Sequence, residues 1–270
     1  MDAGNGSNKE AGNEAAGMQE RKHVEQTEWM QGGTVVNGAI VTGIIGAMEQ
    51  EVERIRPELE GAETRVLAGI RFDTGTWNGK PVVLCRSGVG KVNAAVCTQM
   101  LIDRFGAGRI LFTGVAGAAD PDLDIGDLVI SSECVQHDMD VRPLGYRLGE
   151  IPFAERSVFP ADRALIDLAA DISRGLFDCR VVVGRVMSGD QFIADKAKVK
   201  ELREALGGAC LEMEGAAVAQ VCDMNAVPWV VIRSMSDKAD GSAHVNFAEF
   251  AGMAAERSYR LVSAMVERLP

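Results

Sequence analysis

The chain has 270 residues, 47 % of them hydrophobic and 25 % charged, with a net charge of −11. That is enough length to bury a core in one large domain or two small ones. The acidic balance argues against nucleic acid or an anionic membrane surface as a partner, because both reward Lys and Arg. A small anionic ligand held by local geometry stays open.

No stretch is apolar for long enough to span a bilayer. Residues 1–37 are rich in Gly, Asn, Ala, Glu and Gln and lack the apolar core of a signal peptide; they read as a disordered extension of a domain spanning 38–270. The six cysteines, Cys85, Cys97, Cys134, Cys179, Cys210 and Cys222, include no Cys-x-x-Cys pair. They read as reduced core residues of a cytoplasmic protein. His137-Asp138 is half a metal site without a second cluster, so neither metal nor cofactor is expected.

In chain order, Ala39–Met48 reads as a buried strand turning into a helix at Glu49. Arg65–Trp77 and Lys80–Arg86 read as strands around Asn78-Gly79, a strong hairpin turn. Ser87-Gly-Val-Gly-Lys91 leads into a helix over 92–105. It is not a P-loop, since position 85 is Cys and position 92 is Val. Strands follow at 109–113, ending in Gly114-Val-Ala-Gly117, and at 127–134. Residues 137–160 read as a long loop. Next come a helix over 162–175, a strand over 180–187, a helix over 196–206, the segment 210–214, a helix over 215–224, a strand over 227–235 and a last helix over 247–268. Continuous apolar strands alternating with helices predict an α/β fold, with a central mixed, mostly parallel sheet covered by helices on both faces. Such sheets bind ligands at the carboxyl ends of their strands.

Those ends carry the unusual residues. Glu212 and Glu214 sit in a segment that otherwise reads as interior, where unpaired acids are costly. The apolar run 227–235 carries Arg233, a partner for a buried acid, and leads into Ser236-Asp237. Taken as a strand, 210–214 would point Glu212 and Glu214 to one face. Taken alone, Glu51 reads as a first-turn acid at a helix start, Asp237 as a cap and Phe192 and Phe247 as core. Together they suggest acid–base chemistry.

Six motifs in order, Gly43-Ile-Ile-Gly-Ala-Met-Glu-Gln-Glu51, Ser87-Gly-Val-Gly-Lys-Val92, Thr113-Gly-Val-Ala-Gly117, Ser188-Gly-Asp-Gln-Phe192, Leu211-Glu-Met-Glu-Gly215 and Arg233-Ser-Met-Ser-Asp237, resemble the 5′-methylthioadenosine/S-adenosylhomocysteine nucleosidases. The likeness runs from about Val41 to the C-terminus. It implies a nucleoside phosphorylase-like fold and hydrolysis of the bond between adenine and a 5-alkylthio ribose. By resemblance, Asp237 protonates adenine N7, Ser236 supports it, and Glu51 activates water. Glu214 binds the ribose hydroxyls beside Met213, with Arg233 holding it ionised. Phe192 and Ile193 form the adenine pocket, and Met48, Val89, Val115, Leu211 and Phe247 complete its lining. The family is a homodimer, and the neighbouring chain would supply Val141, Leu144 and Pro152 to the alkylthio pocket. Val115 stands where several members have serine, and Leu144 where some have phenylalanine. The chain lacks the Gly-Asp-Pro-x-Arg segment of the related phosphorylases, and Phe112 replaces their phosphate-binding arginine. Its acidic first turn suits water rather than phosphate. An aminodeoxyfutalosine nucleosidase would share the catalytic set. A silent binding protein would be expected to lose Glu51 or Asp237.

Overall fold

The computed structural model describes residue 1 and residues 35–36, 39–239 and 243–270. Residues 33–270 form one unit. The expected extension over 1–37 lies almost wholly outside the described residues.

Two short strands, β1 (Val35–Val36) and β2 (Ala39–Ile40), pair with each other. The main sheet has ten strands. Its first, β3 (Thr42–Gly46), is buried at every residue. The antiparallel strands β4 (Glu60–Leu67), β5 (Ile70–Trp77) and β6 (Lys80–Arg86) follow. Asn78 and Gly79 take positive φ at the β5–β6 turn, as the hairpin signal predicts. Arg65–Trp77 is not one strand. A second tight turn, with positive φ at Ala68 and Gly69, splits it into β4 and β5. Alanine is an unusual residue for that conformation, so the turn carries a weak sequence signal.

Next come β7 (Arg109–Ala118), β8 (Leu128–Gln136), β9 (Val158–Pro160), β10 (Val181–Ser188), β11 (Cys210–Glu212) and β12 (Trp229–Asp237). The predicted strand over 109–113 continues through Gly114–Gly117. Those small residues look like a turn locally, but β12 pairs along them and holds them extended. The strand order is β11-β10-β8-β12-β7-β3-β6-β5-β4, with β9 on β8, and β11 also pairs with β7. The path β7-β12-β8-β10-β11 therefore returns to β7. The sheet is mixed: the β3–β6, β3–β7, β7–β12, β8–β10 and β10–β11 pairs are parallel, whereas β8 and β12 run antiparallel.

Alternating strand residues feed two apolar layers. Ile45, Cys85 and Phe112 face α2 (Lys91–Phe105) and α5 (Gly215–Met224). Ile44, Leu84 and Leu111 face α1 (Glu49–Val52), α3 (Arg163–Leu176) and α6 (Ala243–Arg268). The short α4 (Lys196–Leu206) sits on a third cluster with Met187 and Leu211. Asp162 caps α3 by accepting the Leu165 amide at 2.9 Å. The long connection 137–160 is irregular apart from a single turn at Arg142–Leu144 and strand β9. No helix among the described residues is long and apolar enough to cross a membrane.

Candidate active site

Three carboxylates from distant segments meet at the carboxyl ends of β3, β11 and β12. They border one cavity of about 320 Å³, lined also by Ala47, Met48, Val89, Val115, Ala116, Gly117, Phe192, Leu211, Glu212, Met213 and Ser236.

Glu51 reaches this cavity from α1. One oxygen, Oε2, accepts the amides of Ala47 at 2.6 Å and Met48 at 2.9 Å, and Oε1 accepts the Val115 amide at 3.1 Å. The residue is 4 % exposed. Burial pushes its pKa above the usual carboxylate value, against the pull of Arg233 and the three amides. Gly114 is needed beside it, since a Cβ there would lie 2.6 Å from Glu51 Oε1. A held carboxylate with a raised pKa is suited to accepting a proton.

Asp237 ends β12. The pairing of β12 with β7 shifts register between Met235 and Asp237, which sets Asp237 opposite Gly117. Its Oδ2 accepts from Ser236 Oγ at 2.9 Å and its Oδ1 from the Ala239 amide at 2.7 Å. Gly117 gives the room, because a Cβ there would come within 2.8 Å of Oδ1.

Glu214 stands at the N-cap of α5, and its Oε1 accepts the Gly90 amide at 2.7 Å. Burial, with the neighbouring charge of Glu212, pushes its pKa up to about 8; the Gly90 amide and Arg233 pull the other way.

Two expectations are corrected here. Glu212 and Glu214 do not share a strand face, because β11 stops at Glu212 and the chain turns into α5. Arg233 does not pair with Glu214. It donates through Nη2 to Glu212 Oε2 at 2.7 Å. The same Glu212 carboxylate accepts the Gly215 amide at 2.8 Å, the Glu214 amide at 3.2 Å and the Ser188 hydroxyl. Ser188 Oγ in turn accepts the Ala216 amide at 2.7 Å. Glu212 thus satisfies the first amides of α5, which no helix carbonyl can reach. Arg233 lies 1 % exposed, its guanidinium 3.9 Å from the centre of the Phe112 ring.

Of the other expected residues, Met48, Val89, Val115, Phe192, Leu211, Met213 and Ser236 line the cavity. Ile193 packs on the Met187 cluster. Phe247 lies outside the described side chains. Val141, Leu144 and Pro152 lie on the connection between β8 and β9, with Leu144 exposed. Reading the residues missed the Gly90 amide as a donor and the clearance given by Gly114 and Gly117; the repeated glycines at strand ends were the available signal. A larger open cavity of about 430 Å³ lies between Ala118–Leu123, one face of α4 and Lys238–Ala239. Arg203 pairs with Asp120 across it at 3.6 Å, and Lys200 pairs with Glu204 along α4. Volume alone therefore does not select the site. Among the described residues no group of three His, Cys, Asp or Glu could hold a metal ion.

A family model described as the phosphorylase superfamily matches residues 41–267. A 5′-methylthioadenosine/S-adenosylhomocysteine nucleosidase of Geobacillus sp. (strain WCH70) is 42 % identical over 227 residues, covering 84 % of this chain and 97 % of the relative. The crystal structure of the Neisseria meningitidis enzyme of that name, in complex with methylthio-immucillin-A, superposes with a TM-score of 0.82 at 38 % identity. The match covers 85 % of this chain and 99 % of that one. A futalosine hydrolase mutant of Helicobacter pylori also reaches 0.82, at 33 % identity over 86 % of this chain and 100 % of its own. The chain belongs to the 5′-methylthioadenosine/S-adenosylhomocysteine nucleosidases of the phosphorylase superfamily, and it is an N-glycosyl hydrolase.

Proposed function

We propose that this chain releases adenine from 5′-methylthioadenosine and S-adenosylhomocysteine, and also from 5′-deoxyadenosine, with Asp237, Glu51 and Glu214 in separate roles. The observation that carries the reading is the placement of four buried carboxylates around one cavity bordered by Phe192 and Met213, of which Glu212 is paired with Arg233, leaving Glu51, Glu214 and Asp237 for the three roles.

The bond between ribose C1′ and adenine N9 breaks with its electron pair leaving on the base. Adenine leaves poorly as an anion, so Asp237 gives a proton to N7, while Ser236 and the Ala239 amide fix its orientation. Positive charge builds on the sugar as the bond stretches, as in glycoside hydrolysis generally. Glu214 accepts the ribose hydroxyls, and those donors favour its ionised form. Water bonds to C1′ and loses its proton to Glu51. Phe192 stacks on the base with the Ile193 backbone at its edge. Met48, Val89, Val115, Leu211, Met213 and Phe247 enclose the nucleoside.

The alkylthio end is closed by a second copy of the chain through Val141, Leu144 and Pro152. The exposure of Leu144 at 74 % and Phe153 at 98 % supports a partner surface there. A cytoplasmic setting fits the six free thiols.

Asp237→Asn tests the assignment. The expected result is a kcat lower by roughly a hundredfold to ten-thousandfold, the usual yield of a general acid, at an unchanged melting temperature. Near-wild-type turnover removes Asp237 from the role.

A further inference from the structure

We propose that Lys91, Asp138 and Asp190 form a positioning clamp that fixes the distance between the sugar-binding and base-binding sides of the cavity. None of the three lines the cavity. They close a hydrogen-bonded ring beside Gly90 and Gly189. Lys91 Nζ donates to Asp138 Oδ1 at 2.6 Å. Asp138 Oδ2 accepts the Asp190 amide at 2.9 Å. Asp190 Oδ1 accepts the Lys91 amide at 2.8 Å. The ring joins the segments that follow β6, β8 and β10.

Two members of this ring adjoin residues of the site. Lys91 follows Gly90, whose amide holds Glu214. Asp190 precedes Phe192 by two residues. Moving either segment would change the gap between the Glu214 carboxylate and the Phe192 ring, the gap a bound nucleoside must fill. Close packing shows how tightly the segments meet. A Cβ on Gly90 would stand 3.1 Å from Asp190 Oδ1, and Gly90 has φ +99°. A Cβ on Gly189 would come within 2.4 Å of His137 Cε1, so the β10 end lies directly on the His137 ring.

The electrostatics suit a clamp. The Lys91 and Asp138 side chains are 18 % and 15 % exposed, too sheltered for full screening by salt. Lys91 Nζ also donates to Gln136 Oε1 at 2.9 Å, which locks its long side chain. Burial opposes ionisation of Asp138, yet the Lys91 and Asp190 hydrogen bonds leave its carboxyl below the ordinary value. A charge-assisted ring of this kind holds backbone segments at set spacings more firmly than neutral bonds do.

The clamp rests on the roles proposed above for Glu214 and Phe192, so the test separates the two. Asp190 is exposed, and its replacement leaves the core intact. Adenine release from methylthioadenosine is followed in the full chain for Asp190→Ala, Asp190→Asn, Lys91→Met and Phe192→Ala, with a thermal melt of each. Asp190→Ala is expected to raise KM roughly tenfold, the yield of one lost hydrogen bond to a charged group, with kcat within about threefold of wild type. Asp190→Asn keeps the oxygen acceptor and is expected to stay within about threefold on both. Lys91→Met is expected to raise KM like Asp190→Ala, and the double variant no further, because a ring broken twice is no looser than a ring broken once. A wild-type KM in Asp190→Ala overturns the clamp. So does a KM rise that tracks a fall in melting temperature and is not restored by Asp190→Asn. Phe192→Ala reports separately: an unchanged KM there overturns the adenine-stacking role, whatever Asp190→Ala does.

Discussion

Glu212 and Glu214 flank one methionine, both are buried and both border the same cavity, yet their partners set them apart. Glu212 lies in a floor where each charge has its counterpart: the Arg233 guanidinium, the Ser188 hydroxyl and the first amides of α5. Glu214 lies on the cavity face, where Glu51 and Asp237 also point. The hydrogen bonds described for Glu51 and Glu214 come from backbone amides alone, and among the described residues neither carboxylate forms an ion pair, although the charge of Arg233 reaches both. A buried acid fully matched by a cation and a helix end supports the fold. A buried acid held by amides keeps lone pairs for a substrate, and burial then raises its pKa. The partner of a buried carboxylate, more than its burial, separates the two tasks.

The comparison breaks first at Glu51. Glu51→Gln keeps the shape and removes the proposed base, and kcat is expected to fall roughly a hundredfold to ten-thousandfold. Steady-state adenine release reads this, and a rate within threefold of wild type would place the water-activating group elsewhere.

The floor should respond in stability. Arg233→Met strands the Glu212 charge in the interior, with an expected loss of about 3–5 kcal/mol in urea unfolding. Adding Glu212→Gln to that variant should recover part of the loss, since the uncompensated charge is then gone. If Arg233→Met unfolds at the wild-type urea midpoint, the floor is not the matched pair described.

Glu214→Gln probes the face with a smaller effect. It removes the proposed charged acceptor for the ribose hydroxyls, worth about 1.5–3 kcal/mol of affinity. Its pH dependence carries a definite sign. The folded pKa of about 8 stands above the ordinary 4.5. The native protein therefore holds this proton more tightly than the unfolded chain does. The resulting stability is full below about 4.5 and is lost as pH rises through 8. Between pH 5 and about 8.5 the wild-type melting temperature should fall more steeply than that of Glu214→Gln. Parallel slopes would show that Glu214 is ionised in the free protein.

Much of this was legible in the sequence for local reasons. Asn78-Gly79 fixed one hairpin, and the apolar run before Ser236-Asp237 marked a buried strand with an acid at its end. The six ordered motifs carried the family likeness. What stayed hidden depended on strands meeting far along the chain. Arg233 reaches Glu212 because β11 and β12 both pair with β7, and the β11 contact comprises only the Cys210–Ala118 and Leu211–Gly117 pairs. So small an antiparallel contact leaves no periodic signal. Gly114 and Gly117 signal close approach to the backbone, but the β12 partners and the two carboxylates that approach them come from distant segments. The Ala68-Gly69 turn was missed because alanine rarely adopts positive φ.

The central claim is that water, held by Glu51, displaces adenine from the sugar. Its most direct test is turnover of methylthioadenosine in phosphate-free buffer made with ¹⁸O-water. The account predicts full adenine release, with one labelled oxygen on the sugar C1 hydroxyl for each adenine formed. Adenine release that begins only when phosphate is added, with a sugar 1-phosphate as the product, would contradict it.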